Sequence, residues 1–333
     1  MRSFRDFMES ALYDPERGYY SVREKAADFY TAPELHPAFG AVLADRLAVL
    51  LERVAHTRKT GPLHVVEAGC GDGTLACQVA RRLREAHPAV ASRVSFILVE
   101  RGRKDLTTAV RRLTAFGVPV IARTKISEIP PFAGVLYSNE LLDALPVHLL
   151  EGREGKVLEV FVDAAGREVA GPLSRPELEA PAAAMAGSLQ EGERHAVGLE
   201  AKAWIAAAAS RVEEGFIVSI DYGKRFAPGT ANPPRAFHRH AVETELTREP
   251  GAQDLTASVD FEALIGAGEA CGLPLETYES MSKFLIEGGM LGFIEAAGGD
   301  DSSAYRERAK LKTLIHPEGM GEVFKVLIQR KAK

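Results

Sequence analysis

The stretch "VVEAGCGDGTL", residues 65–75, runs an apolar strand pattern into an acid, Glu67, and then sets glycines at 69, 71 and 73 directly before a helical pattern. Glycine lets a backbone adopt left-handed conformations and approach a ligand closely, and the helix that follows offers unpaired N–H groups at its start. This order of residues confines the chain to folds in which parallel strands end at a ligand crevice. The other strands then have to come from the rest of the sequence.

Short apolar runs at 63–67, 94–100, 118–122 and 133–138 alternate with helical patterns at 74–86 and 104–116. The rhythm then changes: runs at 147–151 and 156–163, split by "EGREGK", read as a hairpin. The segment "GREVAGPLSRPELEAPAAAMAGSLQEGE" reads as a partly irregular surface insertion. A helix near 198–211, strands at 215–223 and 273–278, a helix at 260–271, helices within 281–313 and a last strand "EVFKVLIQR" complete the pattern. Strands alternating with helices imply an α/β, doubly wound, Rossmann-like sheet. By rhythm the chain divides into an N-terminal helical cap (1–57), a first half of the cofactor-binding core (58–150), an insertion with hairpin and helix (151–212) and a second half of the core (213–333). An apolar share of 46% in 333 residues is enough for a substantial core.

Charge and cysteine content narrow the function. A net charge of −5 argues against a general nucleic-acid binder, which needs clustered Lys and Arg to neutralise phosphates. Cys70, Cys77 and Cys271 show no Cys-x-x-Cys spacing, so neither a disulfide framework nor a structural zinc site is expected, and no metal is assigned. The N-terminus "MRSFRDFMES" lacks an apolar secretory core and no window reaches the length of a membrane span, which leads to a cytoplasmic, non-membrane expectation. "HRH" at 238–240 reads as a solvated basic loop, and Tyr19, Tyr20 and Tyr222 read first as packing aromatics.

The dinucleotide fingerprint is Gly-x-Gly-x-x-Gly, whereas this loop is Gly-x-Gly-x-Gly with an acid ending its strand. An anionic Glu67 beside the loop would repel a pyrophosphate and suits a ligand with an ammonium and no phosphate, which describes S-adenosyl-L-methionine. Glu100, ending "FILVE", stands where an acid should accept hydrogen bonds from a ribose diol. Nicotinamide binding, or a glycine turn that merely starts the helix at Thr74, remain the alternatives. A third cluster lies in "GVLYSNELLDALPVHLL", where a strand runs out into Asn139, Glu140 and Asp143. If the chain turns helical there, Glu140 and Asp143 share one side of the turn, and two carboxylates could hold a guanidinium in bidentate fashion. The competing view is Asn139 as a helix N-cap followed by acids that favour the helix dipole. Asp221, ending "IVSID", is a second-tier candidate beside Tyr222.

The blocks "FMESALYDPERGYYS", "DFYTAPELHPAFG", "EAGCGDGTL", "SNELLDALPVH", "DYG", "PGAQDLTASVDF" and "HPEGMGEVFKVL" occur in an order that resembles the MidA family of S-adenosylmethionine-dependent methyltransferases. That family includes the mitochondrial complex I assembly factor that acts as a protein-arginine methyltransferase. The resemblance covers nearly the whole chain. It implies a seven-stranded class I methyltransferase core, N-terminal helices over the cofactor, and a protein substrate of respiratory-complex type. By the same resemblance Thr31, Pro33 and Glu34 contribute to the cofactor site with Gly69, Gly71, Gly73 and Glu100; Glu67, Thr74 and Asn139 complete the expected cofactor set. Glu140 and Asp143 fall at the reaction centre, Glu140 doing most of the orienting of the substrate nitrogen. The chain departs from the family at Ala27, where a glycine is usual, and at Ala196, where an acid is usual. An assembly protein with a relic pocket and a small-molecule methyltransferase are the rival functions. A nucleic-acid methyltransferase is disfavoured because "ANPPRAF" follows the "DYG" turn, away from the fourth strand. The oligomeric state is open, a homodimer included.

Overall fold

The computed structural model describes residues 1–22, 31–238, 241–299 and 301–332. Ala27, and Arg239 and His240 of "HRH", therefore lie outside the described residues. The chain folds into two compact units, each assembled from three stretches: Met1–Phe29, Leu142–Ala203 and Gly223–Leu264 in one, Tyr30–Leu141, Trp204–Tyr222 and Ile265–Lys333 in the other. The N-terminal span 1–57 thus contributes to both.

The second unit holds the large sheet. Its strands are β1 (Leu63–Ala68), β2 (Val94–Val99), β3 (Val120–Arg123), β4 (Phe132–Asn139), β5 (Val212–Lys224), β6 (Leu275–Ser280) and β7 (Phe324–Lys331), in the order β6-β7-β5-β4-β1-β2-β3. The short strand Val259–Asp260 pairs with the far end of β5 as an eighth member. The β1–β2, β2–β3, β1–β4 and β4–β5 pairs are parallel, and β7 runs against both β5 and β6. Parallel strands covered on both faces carry near-continuous apolar runs, and β1 and β2 are almost wholly buried for that reason. The helix Ala38–Thr57 repeats apolar residues at helical spacing and buries Phe39, Val42, Leu43, Leu47, Leu51 and Val54. Each such side chain contributes roughly 1.5–3 kcal/mol on leaving water. Arg82 clamps this helix to Thr74–Ala86 through two hydrogen bonds of 2.9 Å to Asp45.

The register brings the strand ends into one row. Ala68 pairs with Val99 on β2 and with Ser138 on β4, while Ile220 on β5 pairs with Asn139. Gly69, Glu100, Glu140 and Asp221 are the next residues on these four strands. Because the chain leaves β1 towards β2 and β3 and later returns on the other side at β4, the β1–β4 boundary is the switch point where such sheets bind ligands.

The first unit is built on antiparallel pairs. Strands His148–Arg153 and Lys156–Val162 form the expected hairpin, with Glu154 and Gly155 both at positive φ, 50° and 71°, as a type I′ turn requires. The helix Phe4–Tyr13 starts at Ser3, whose hydroxyl accepts the Asp6 N–H at 3.1 Å, and buries Phe4, Phe7, Met8 and Leu12 against Val147, Leu149, Val160 and Val162. Glu168–Gly171 and the helix Glu179–Met185 put regular structure inside the stretch expected to be partly irregular.

Candidate functional site

Gly69, Gly71 and Gly73 all take positive φ, at 72°, 51° and 83°, which a side-chain-bearing residue reaches only with strain. Gly73 is also needed for space, because a Cβ there would meet the Ala109 Cα at 2.7 Å. The loop turns under the start of helix Thr74–Ala86. Asp72 organises that start: its Oδ1 accepts the Thr74 N–H at 3.0 Å and the Thr74 hydroxyl at 2.7 Å, while Arg112 donates to its Oδ2 at 2.6 Å. Thr74 is thereby committed to the loop itself. Asp72 carries a sequence signal of its own, an acid just before a helix.

Glu100 joins the loop directly. Its Oε2 accepts the Gly71 N–H at 2.9 Å and its Oε1 the Gly102 N–H at 2.8 Å. Each oxygen keeps a further lone pair, so the carboxylate is oriented and still able to receive a diol. Glu67 points the other way. It is 3% exposed and accepts the Tyr137 hydroxyl at 2.9 Å; burial pushes its carboxyl up to about 8, against the opposing effects of Tyr137 and the Ala76 N–H and with the Glu100 and Asp72 charges adding to it. At neutral pH this side chain is protonated, so the anionic Glu67 invoked from the sequence to repel a pyrophosphate is a neutral buried acid tying β1 to β4.

Asn139 and Glu140 end β4. Glu140 has φ 53°, a left-handed conformation rare for a residue with a Cβ. Its Oε1 accepts the Asn139 side-chain amide at 2.8 Å and the Ala32 N–H at 3.2 Å. Burial pushes the carboxyl up to about 7; the Ala32 and Asn139 hydrogen bonds oppose the rise, and the Asp221 and Glu34 charges add to it. The helical turn expected over Glu140 and Asp143 does not form. The Glu140 N–H donates to Ile220 O at 3.0 Å and the Leu141 N–H to Asp221 Oδ2 at 3.1 Å, so both amides are tied to β5, and the positive φ of Glu140 is incompatible with a right-handed helix starting there. Asn139 stays in the strand and caps nothing. Asp143 is buried and belongs to the other unit, where its carbonyl accepts the Ala257 N–H at 2.9 Å.

Thr31, Pro33 and Glu34 build a short helix, Ala32–Leu35. Thr31 is its N-cap, Glu34 accepts the Thr31 N–H at 3.1 Å, and the Pro33 carbonyl receives the Gln78 amide at 3.0 Å. This anchoring to helix Thr74–Ala86 holds the Ala32 N–H at Glu140. Short-range reading of the sequence does not expose that contact, because its partners are far apart along the chain.

Other candidates resolve into packing. Tyr20 donates to Asp254 at 2.8 Å and stacks on Tyr13; Tyr222 packs edge-on against Phe324. Asn232 of "ANPPRAF" donates to Ser258 O at 3.0 Å, and Ala196 is a buried strand residue. Among the described residues no group of three His, Cys, Asp or Glu is placed to hold a metal ion, and no helix is long and apolar enough to cross a membrane.

Acceptors dominate this crevice: the Glu100 carboxylate, the Glu140 carboxyl and the Asn139 Oδ1, which is buried without a hydrogen-bond partner. Such a set fits an ammonium and a ribose diol. A mostly parallel seven-strand path with a reversed β7 beside its edge strand, a glycine loop at the switch point and an acid at the end of β2 define a class I S-adenosylmethionine-dependent methyltransferase.

The chain belongs to the family described as "Putative S-adenosyl-L-methionine-dependent methyltransferase", whose model matches residues 42–279. It is 28% identical, over 97% of its length and 82% of the relative's, to the mitochondrial protein arginine methyltransferase NDUFAF7 of Danio rerio. The NDUFAF7 homolog of Drosophila melanogaster, likewise named a mitochondrial protein arginine methyltransferase, is 30% identical over 80% of this chain, which spans 66% of the fly protein. A crystal structure from Burkholderia thailandensis with S-adenosylhomocysteine bound superposes with a TM-score of 0.82 at 28% identity, covering 99% of this chain and 87% of that one. The cofactor is S-adenosyl-L-methionine.

The expectation of location is corrected as well. The cytoplasmic placement is overturned by relatives that are mitochondrial proteins. The residues weighed for it test for an apolar secretory segment or a membrane span, whereas mitochondrial targeting uses amphipathic, Arg-rich segments to which those tests are blind.

Proposed function

We propose that this protein transfers a methyl group from S-adenosyl-L-methionine to an arginine of a protein substrate, with Glu140 as the group that orients the guanidinium and takes up its proton. Bound cofactor supplies an electrophilic methyl on a sulfonium. The chain has to supply position and a proton acceptor, because the guanidinium is protonated and its nitrogen lone pairs are delocalised. The observation that carries the reading is Glu140: a half-buried carboxyl at the switch point, in a left-handed turn, with its proton affinity raised to about 7. An acid so poised accepts a proton near neutral pH and can return it to solvent afterwards. The names of the relatives support arginine and a protein as the acceptor. The resemblance drawn from the sequence points further, to a respiratory-complex subunit.

In this reading the cofactor lies on Gly69, Gly71 and Gly73, its ribose on Glu100 and its ammonium towards Asn139. Thr31, Pro33 and Glu34 act through the Ala32 N–H, and Thr74 and Glu67 shape the loop. The test has two stages. Calorimetric titration with S-adenosylmethionine and S-adenosylhomocysteine, with NAD as control, should show binding of both adenosyl ligands and none of NAD. Labelled-methyl transfer to arginine-containing peptides should then be lost in Glu140→Gln with adenosyl binding retained; transfer at the wild-type rate in that variant ends the Glu140 assignment.

A further inference from the structure

We propose that Asp221 is a positioning residue for Glu140: its buried carboxylate pins the backbone just after Glu140 and so holds Glu140 in the left-handed turn that delivers its carboxyl to Ala32 and Asn139. The inference rests on the assignment of Glu140 made above.

Three observations converge. Asp221 is fully buried within β5, one residue past the last pair that strand makes with β4. Its Oδ2 accepts the Leu141 N–H at 3.1 Å, and its Oδ1 accepts the Tyr222 N–H at 2.9 Å, which fixes the carboxylate plane. The residue being held, Glu140, has φ 53°, a strained conformation for an L-residue that persists only where its surroundings over-determine it. The Ile220 carbonyl takes the Glu140 N–H from the same strand, so β5 grips two consecutive amides across the turn. Were Asp221 only a packing residue, an apolar side chain would fill the space without the desolvation cost of a buried acid.

The carboxylate also acts electrostatically. The groups facing Glu140 are Asp221 from β5, Glu34 and the Ala32 N–H from the helix Ala32–Leu35, and the Asn139 amide from its own strand. The two donors favour the carboxylate form of Glu140. Burial does most to oppose it, and the two acids add to that effect, Asp221 more than Glu34.

The experiment compares Asp221→Asn, Asp221→Ala and Glu140→Gln in the full chain. Asparagine keeps an oxygen for the Leu141 N–H and removes the charge; alanine removes both. Titration of 13C-labelled Glu carboxyls by NMR, with Glu140 identified by its loss in Glu140→Gln, reads Glu140 without any substrate. Methyl transfer to an arginine-containing peptide pool reads the reaction. We expect Asp221→Asn to move the Glu140 titration to lower pH while transfer stays within about tenfold of wild type. Asp221→Ala should slow transfer at every pH by more than about tenfold with little change in the KM for S-adenosylmethionine. If Glu140→Gln abolishes transfer while Asp221→Ala transfers at the wild-type rate, the positioning role is wrong and the Glu140 reading stands; an unmoved Glu140 titration in Asp221→Asn overturns the electrostatic part of that role. If Glu140→Gln itself transfers normally, the Glu140 reading has failed, and a shifted titration would then show a structural coupling without catalytic consequence.

Discussion

The two walls of the crevice solve the same backbone problem by different means. At the end of β1 three glycines take positive φ, and at the end of β4 a glutamate does. The glycine loop needs little outside help: Asp72, Thr74 and the helix start satisfy one another within a few residues, and Glu100 reaches in from the adjacent strand. Glu140 carries a Cβ in the same region of backbone space, and the groups that hold its turn, Ala32 and Ile220 on Glu140 itself and Asp221 on Leu141, come from distant parts of the chain. The glycine loop has room and conformational freedom for a ligand common to many enzymes. The glutamate is held in a costly turn that tertiary structure imposes, which is where strain at functional sites is usually found.

The sharpest way to break this contrast is Glu140→Gln. It removes the proton acceptor and leaves the loop, so methyl transfer should fall by roughly 10²–10⁴ while calorimetry shows adenosyl binding close to wild type. Equal loss of binding and turnover would mean that the two walls do not divide the work. Gly71→Val attacks the other wall. A β-branched residue at φ 51° costs about 1–3 kcal/mol and disorders the N–H that meets Glu100. Calorimetry should then record the loss of S-adenosylhomocysteine binding, and wild-type affinity would refute the loop assignment.

Two pH experiments sharpen the comparison. Because Glu140 has to be ionised to take a proton, kcat/KM should rise with pH through an apparent pKa of about 7, and the rise should be absent from whatever activity remains in Glu140→Gln. Glu67 reports through stability instead. Its folded-state value of about 8 lies above its ordinary 4.5, so the folded form holds a proton that the unfolded chain has lost. Stability should therefore fall as pH rises from about 4.5 to about 8, by a few kcal/mol at most, and the slope should flatten in Glu67→Gln. A denaturation series across that window decides it. The smallest effect belongs to Arg112→Ala: the Arg112–Asp72 pair is nearly half exposed, so its loss should change stability by about 0–1 kcal/mol and leave adenosyl binding intact.

Much of the fold was legible because its signals are local. The strand beginning at Leu63, the helix Thr74–Ala86 and the hairpin turning at Glu154–Gly155 each rest on a few adjacent residues. The departures came where long-range partners decide. Residues 140–143 carry a helix-compatible sequence, yet β5 takes the two amides and the turn stays irregular. Glu67 looks like a charge beside the loop in one dimension; buried against Tyr137 it is neutral at pH 7.

Composition and motif order determined the class of fold, the glycine loop and the acid on β2, because strand period, glycine freedom and helix starts act over short stretches of chain. Only the tertiary structure decided which of several carboxyls stays charged, which amides remain for a helix, and that Asp221 and Ala32 both act on Glu140. Proton affinity depends on burial and on neighbours brought together from distant parts of the chain, and spacing along the sequence carries no record of either.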